Sequence, residues 1–207
     1  MHYTQAHIGA LDTRTRAHFI NSLSGFKSAN LIGTQDDQGH TNLAIVSSVF
    51  HLGANPPLVG MIIRPHSVAR HTFENILKTG FYTINQVNQS IYSQAHQTSA
   101  RYDRDESEFA ATGLTAEYLS DFHAPFVKQS RLKYSVKFVE HQHLAVNGTE
   151  LVIGEISDIY VDDNAVEDDG FIDLQALDTV AITGLDSYHI TTKLARLPYA
   201  KNNTGYF

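Results

Sequence analysis

The sequence predicts a mainly β protein, an antiparallel barrel or sandwich with short helical insertions. Three observations predict it: many apolar runs have the length of strands, polar turns containing Gly separate them, and the helical patterns are brief. A doubly wound α/β sheet would need long helices between its strands, and the pattern does not provide them. The 207 residues suit one domain with its own core, so we expect a single domain over 1–207.

The first part of the chain is predicted to contain one helix and then three strands. Apolar residues spaced along one helical face predict a short amphipathic helix from Asp12 to Leu23, capped by Asp12 or Thr13 and ended by Gly25. The strands, of which the first two form a hairpin, are predicted at residues 29–34, 41–52 and 58–63.

A second helix is predicted over residues 72–78, directly after the third strand. Thr72 or His71 is its expected cap, and Gly80 follows its end. The apolar face that anchors this helix to the sheet is expected to consist of Phe73, Ile76 and Leu77.

The second half of the chain is predicted to hold strands on either side of a helical excursion at about 88–130. Short helices are expected within the excursion at 88–95 and 106–112. The flanking strands are predicted at residues 81–87, 131–138 and 150–161, the last two joined by a turn at Asn147-Gly148. Alternation in the middle strand predicts one core face and one face in water. The core face is predicted to consist of Leu132, Tyr134, Val136 and Phe138, and the face in water of Arg131, Lys133, Ser135 and Lys137.

Charge and composition exclude several classes of function. A formal net charge of -7 argues against nonspecific electrostatic binding to nucleic acid or to an anionic membrane. Without cysteine there is no disulfide, thiolate nucleophile or Cys-ligated zinc, so any redox chemistry needs a cofactor. No secretion signal or membrane-length apolar run is found. We therefore expect a soluble, cytoplasmic protein with small-molecule ligands.

Two alternatives involve metal ions, and the sequence favours neither. His141 and His143 on one strand would point to the same face, but no third or fourth ligand is identified. The acidic run 162–170 lacks the ligand spacing of a calcium loop, which favours an exposed loop. We find no dinucleotide-binding, P-loop, metalloprotease or hydrolase motif. The predicted metal content is therefore none.

The stretch RPHSVARHTFENI, residues 64–76, is the main candidate site. It offers the guanidinium groups of Arg64 and Arg70, the hydroxyls of Ser67 and Thr72, and unpaired N–H groups at a helix start, all suited to a phosphate. The alternative is structural: Thr72 caps its helix and the arginines are solvated. The stretch NLAIVSSVF, residues 42–50, favours a ligand, because two serines replace the aliphatic residues expected in a core strand.

The order of these segments resembles the flavin reductase-like family of FMN-binding split-barrel proteins. The resemblance rests on co-occurrence, since no one motif is specific by itself. The segments that carry it are NLAIVSSVF (42–50), NPPLVGMII (55–63), RPHSVARHTFENI (64–76), GFYTIN (80–85), SARYDRDESEFAATGLT (99–115), LVIGEISDIYV (151–161) and GLDSYHITTKLARLPYA (184–200).

The resemblance implies a Greek-key split β-barrel that forms a homodimer, with FMN bound near the subunit interface. It implies a cofactor-binding set beside the flavin ring or ribityl chain and around the phosphate: Asn42, Ser47, Ser48, Val49, Arg64, Ser67, Arg70 and Thr72. Tyr102, Phe122 and His123 are candidate wall residues. No side chain is assigned as acid or base, since the flavin accepts the hydride.

The same resemblance implies an NAD(P)H-dependent flavin reductase that takes hydride from NADH or NADPH and passes electrons to an acceptor or a partner oxygenase. Two other hypotheses stay open: a non-enzymatic FMN-binding or electron-relay protein that uses the same pocket, and a dimeric β-barrel without cofactor. The nicotinamide preference and the final acceptor are not determined by the sequence.

Overall fold

The structure, a computed structural model, describes residues 1–201. Within these residues the α-helices are Gln5–Ala10 (α1), Thr13–Ser22 (α2), His71–Thr79 (α3), Tyr92–Gln97 (α4) and Glu108–Thr112 (α5). The first strands are Lys27–Ser28 (β1), Asn30–Gln35 (β2), Thr41–Val46 (β3), Phe50–Ala54 (β4), Pro57–Ile63 (β5) and Phe81–Gln86 (β6). The later strands are Ala116–Glu117 (β7), Phe126–Val127 (β8), Leu132–Leu144 (β9), Thr149–Val161 (β10), Val180–Thr183 (β11) and Ser187–Ile190 (β12).

A seven-stranded antiparallel sheet forms the body of the protein, in the order β3-β2-β6-β9-β10-β5-β4. Its edge strands β3 and β4 are consecutive in the chain, and only residues 47–49 separate them. Four Cα steps reach about 15 Å at most, whereas six strand spacings in a flat sheet amount to about 29 Å. The sheet must therefore curl until its edges approach each other. This confirms the mainly β barrel architecture.

The strand predicted over 41–52 is wrong in one respect, because a bend at residues 47–49 divides it into β3 and β4. The Ser48 hydroxyl donates to the Ile62 carbonyl at 2.8 Å and accepts from the Ile62 N–H at 3.3 Å. One side chain thus makes the two hydrogen bonds that a neighbouring strand would otherwise make with β5. The chain can therefore bend away from the strand direction while the N–H and carbonyl groups of Ile62 remain hydrogen-bonded.

Helix α3 packs against the barrel interior through Phe73 and Ile76, which are both buried. Leu77, expected on the same face, is 44% exposed, so that part of the prediction is wrong. The buried stripe is turned toward Thr72 and Asn75, whose side chains are hydrogen-bonded partners of the sheet. Because Thr72 and Asn75 have hydrogen-bond partners on the sheet, they can occupy the buried positions of α3, and Leu77 lies at the exposed edge of the helix.

Two residues of β9 predicted to face water are buried. Lys133 donates through Nζ to the Glu117 carboxylate at 2.6 Å and to the Val127 carbonyl at 3.2 Å. Ser135 donates to Asp158 at 2.8 Å. Glu117 and Val127 lie on β7 and β8 within the excursion, whereas Asp158 lies on β10, so these partners come from other segments and alternation within one strand cannot reveal them.

Helices α4 and α5 protect the free edge of β3 with side-chain acceptors. The Leu43 N–H donates to Glu108 Oε2 at 2.9 Å, and the Ile45 N–H donates to Thr98 Oγ1 at 3.0 Å. An uncovered edge strand would expose these N–H groups to pairing with another chain. One structural role of the excursion is therefore to close the edge of the sheet.

Replacing Glu108 tests this edge contact. Burial raises the pKa of Glu108 above its usual value of 4.5. The protonated carboxyl group therefore contributes fully to folding stability below pH 4.5, and this contribution is lost as the pH rises through the raised pKa. Glu108→Gln keeps an acceptor without the charge and should gain stability relative to the wild type as the pH rises above 4.5. Glu108→Leu, the matched variant without an acceptor, should lose about 1–3 kcal/mol in urea unfolding. Equal stability of the two variants would contradict the edge-capping role.

The remaining termini pack at the periphery. Asp12 caps α2 as predicted, accepting from the N–H groups of Arg14 and Thr15, but no α2 residue is fully buried and Leu23 is 68% exposed. The acidic run 162–170 is largely exposed as predicted. It also binds the segment 191–201 through Arg196, which pairs with Glu167 and Asp169. Within residues 1–201, no helix has the length and apolar composition needed to span a bilayer.

Candidate functional site

The candidate site begins with the loop of residues 64–70, which joins β5 to α3 and is called the anion loop below. Arg70 ends the loop and is the N-cap residue of α3. Its Nε donates to the Pro65 carbonyl at 3.2 Å, which folds the loop back on itself. The terminal nitrogens of the Arg70 guanidinium have no acceptor within residues 1–201. They are therefore free to bind a ligand.

Three arginines create a concentration of positive charge at this loop. Burial lowers the pKa of Arg70, and the charges of Arg64 and Arg101 lower it further. Neither Arg64 nor Arg101 pairs with a carboxylate in the part of the chain that the structure describes. Guanidinium groups that repel each other are stabilised by a bound anion, and a phosphate can accept several of their hydrogen bonds.

The start of α3 adds backbone donors to the same place. The first hydrogen bond of the helix runs from the Glu74 N–H to the Arg70 carbonyl at 2.9 Å. The N–H groups of His71, Thr72 and Phe73 precede it and have no helical acceptor. Together with the macrodipole they favour negative charge at this end of the helix.

The predicted site residues Asn42 and Thr72 are in direct contact. Asn42 Nδ2 donates to Thr72 Oγ1 at 2.9 Å and to Thr34 Oγ1 at 3.2 Å, and Asn75 Nδ2 donates to Thr34 Oγ1 at 3.1 Å. All of these side chains are buried. Thr72 lies inside the first turn of α3, so the prediction that it or His71 caps the helix is wrong. Its hydroxyl fixes α3 to β3 and keeps its own proton available for donation.

The bend at Ser47, Ser48 and Val49 forms the second half of the candidate site. No strand pairing includes these residues, and none of their amides donates to a backbone carbonyl within residues 1–201. The Ser48 hydroxyl is committed to Ile62, two residues before Arg64, which holds the bend beside the start of the anion loop. Val49 packs against the barrel core. Unpaired amides thus lie next to the positive cluster.

Sequence reasoning missed three residues of this neighbourhood: Glu74, Arg101 and Arg104. Arg104 forms an ion pair with Glu74, and Arg101 lies within electrostatic reach of Arg70. The two arginines belong to the segment SARYDRDE, where basic residues in an acidic stretch were the available signal. The pair Arg104–Glu74 and the proximity of Arg101 to Arg70 join residues that are far apart in sequence, and sequence spacing does not predict them.

The candidate wall residues are found in two places. Tyr102 lies between Arg101 and Arg104, and its hydroxyl contacts Gln97 on α4 at 3.3 Å. Phe122 and His123 pack on the ring of Phe81, at the start of β6. Tyr102 is therefore the member of the three that the fold connects to the arginine cluster.

The two strand histidines meet one carboxylate. His141 and His143 contact Glu150 at 3.1 Å and 2.7 Å, which confirms that both rings share a face. These hydrogen bonds, with that of His143 the stronger, lower the pKa of Glu150. Within residues 1–201, no group of three or more His, Asp or Glu side chains is arranged to hold a metal ion.

Comparison with known proteins agrees with this geometry. A family model described as "Flavin reductase like domain" matches residues 23–177, which include the barrel, the bend and the anion loop. The chain belongs to the flavin reductase-like family. This membership supports flavin binding and an oxidoreductase activity.

Solved structures with the same fold extend the comparison. A split-barrel protein from Shewanella frigidimarina NCIMB 400, described as a flavin reductase, is 80% identical, with 97% of this chain and 100% of that chain covered and a TM-score of 0.94. Nitrilotriacetate monooxygenase component B from Bacillus cereus is 17% identical, with 95% and 98% covered and a TM-score of 0.83. The 2-nitrobenzoate 2-nitroreductase of Pseudomonas fluorescens is 18% identical, with 98% of both chains covered and a TM-score of 0.82. The split barrel expected from the resemblance is confirmed.

Proposed function

We propose that this family member is an FMN-binding oxidoreductase that takes hydride from NADH or NADPH and passes electrons to an acceptor. The observation that carries the proposal is the cluster of Arg64, Arg70 and Arg101 at the start of α3, beside a bend with unpaired amides. In a chain of net charge -7, a local cluster of arginines of which Arg64 and Arg101 pair with no carboxylate within residues 1–201 favours an anionic ligand. One flavin domain over residues 1–207, in the cytoplasm, is part of this proposal.

The residues present fit FMN in two parts. The phosphate would bind to Arg64, Arg70, the exposed Ser67 and the Thr72 hydroxyl, with the first N–H groups of α3 completing its shell. The ring and ribityl chain would lie along Asn42 and the bend of residues 47–49. A terminal phosphate monoester, as in FMN, matches a compact cluster of cations at one end of the site.

The protein's contribution to catalysis in this proposal is orientation and polarity. Bound FMN would supply the redox chemistry, since it accepts hydride and passes electrons on. The amides of Ser47, Ser48 and Val49 would donate to acceptor atoms of the ring. The cation cluster would fix the phosphate end, so that the ring is held in one orientation toward the nicotinamide. No side chain is needed as an acid or base.

A homodimer is part of the proposal, with FMN near the subunit interface. Apolar side chains next to the site are exposed in the single chain: Phe50 and Leu52 on β4 are 40% and 44% exposed, and Val68 in the anion loop is 39% exposed. A second copy would cover these residues and the open side of the bend. A partner oxygenase as the consumer of reduced flavin is supported by the fold shared with a monooxygenase component B.

Turnover distinguishes this proposal from the two other hypotheses. The purified protein, supplied with FMN, should oxidise NADH or NADPH faster than FMN in buffer, and a heated sample should not. A protein that binds FMN without accelerating nicotinamide oxidation would be a non-enzymatic carrier. A protein that neither binds FMN nor oxidises either nicotinamide would be a barrel without cofactor.

A further inference from the structure

One carboxylate, that of Glu74 in the first turn of α3, connects three segments around the candidate phosphate site. Its Oε1 accepts from the Arg70 N–H at 3.1 Å and lies 3.2 Å from His66 Nε2, both in the anion loop. Its Oε2 pairs with Arg104 of the α4–α5 excursion. The loop, the helix and the excursion are therefore joined at a single side chain.

The position of Glu74, beside the candidate phosphate site, is unfavourable for a carboxylate that has no functional role. A fixed negative charge beside an anion site repels the anion that the site binds. Partial burial would raise the pKa of Glu74, but the Arg70 N–H and the Arg104 charge outweigh it and keep the pKa below its usual value, so the carboxylate stays ionised. Its negative charge persists next to Arg70 at neutral pH.

The geometry points to Glu74 as a positioning residue that holds the anion loop and the Arg101–Arg104 segment in the arrangement that binds the FMN phosphate. This inference rests on the proposed function. By accepting from the Arg70 N–H, Glu74 fixes the N-cap residue whose guanidinium faces the site. By pairing with Arg104, it holds the adjoining segment, so that Arg101 stays near Arg70.

A role through charge alone would have the opposite sign, which separates it from positioning. If Glu74 acted only through its charge, its removal would tighten phosphate binding, because one repulsive charge disappears. If Glu74 positions the cluster, its removal weakens phosphate binding although the site becomes more positive. A purely structural role in α3 would lower stability and leave the ratio of FMN to riboflavin affinity unchanged.

The experiment titrates wild type, Glu74→Ala and Glu74→Gln with FMN and with riboflavin, which lacks the phosphate. We expect Glu74→Ala to weaken FMN binding by about tenfold and riboflavin binding hardly at all. Glu74→Gln keeps an oxygen for the Arg70 N–H but loses the charge that holds Arg104, so about a threefold loss is expected. Asp37→Asn is the matched control, because Asp37 pairs with Lys78 at the other end of α3 and should change neither affinity.

Each outcome decides the inference. Unchanged or tighter FMN binding by Glu74→Ala overturns it, as does an equal loss for FMN and riboflavin. If Glu74→Ala does not fold, as judged by circular dichroism, the isosteric Glu74→Gln decides it through the same ratio of affinities. Wild-type protein that binds neither flavin overturns the proposed function itself, whereas a failure confined to the Glu74 variants leaves that function intact.

Discussion

Replacing Arg70 by methionine is expected to weaken FMN binding by about tenfold to a hundredfold. The guanidinium is the partly buried member of the arginine cluster, and a charge-assisted hydrogen bond contributes about 1.5–3 kcal/mol. Methionine retains much of the aliphatic stem, so the loss reports the charged group. The measurement is a titration of FMN at fixed ionic strength, because salt screens such contacts.

Two comparisons make the Arg70 result specific. Riboflavin should bind the Arg70→Met variant and the wild type equally, since it lacks the phosphate. Arg14→Met changes the net charge by the same amount on α2, where Arg14 is exposed, and should leave FMN affinity unchanged. Equal losses for FMN and riboflavin, or for both variants, would show that the anion loop does not hold the phosphate.

Replacing Gly33 by alanine is expected to produce a large loss of stability, about 3 kcal/mol or more. An added Cβ on this β2 residue would overlap the Pro125 carbonyl oxygen and lie 2.5 Å from Thr83 Oγ1. These two atoms are hydrogen-bonded to each other at 2.6 Å, which anchors the end of the excursion on the barrel. The new methyl group cannot be accommodated unless the backbone moves.

Gly9→Ala is the matched control for this substitution. Gly9 lies in α1, and an added Cβ there meets no atom within 4 Å. It should leave the free energy of unfolding unchanged or raise it slightly, since alanine favours the helix. Urea unfolding measures both variants. If Gly33→Ala unfolds at the wild-type midpoint, the close contact between the excursion and β2 does not exist in solution.

The parts of the fold that follow from local pattern were predicted well. The apolar run 58–63 between prolines predicts β5, and the apolar spacing of residues 72–78 followed by Gly80 predicts α3, which does end at Gly80 in the left-handed conformation but has Arg70 as its N-cap. Such elements depend on the periodicity of apolar residues, and on the residues that begin and end an element, within about ten residues of sequence. The clustering of Arg64, Ser67 and Arg70 in one loop is predictable for the same reason, because these residues are neighbours in the chain.

The parts that failed depend on partners distant in sequence. Lys133 is buried because Glu117 accepts from it, and the break after Val46 is possible because Ser48 bonds to Ile62. Burial of Thr72 depends on Asn42 in the same way. No spacing rule within one strand or helix reveals these contacts. Arg101 joins the candidate site through the excursion, whose path over the barrel was not predictable from its composition.

An equilibrium titration of the wild-type protein with FMN and riboflavin tests the central claim most directly. We expect one FMN per chain and at least about tenfold tighter binding of FMN than of riboflavin, because the cation cluster at the start of α3 binds the phosphate. Equal affinity for the two flavins, or no binding of either, would contradict it.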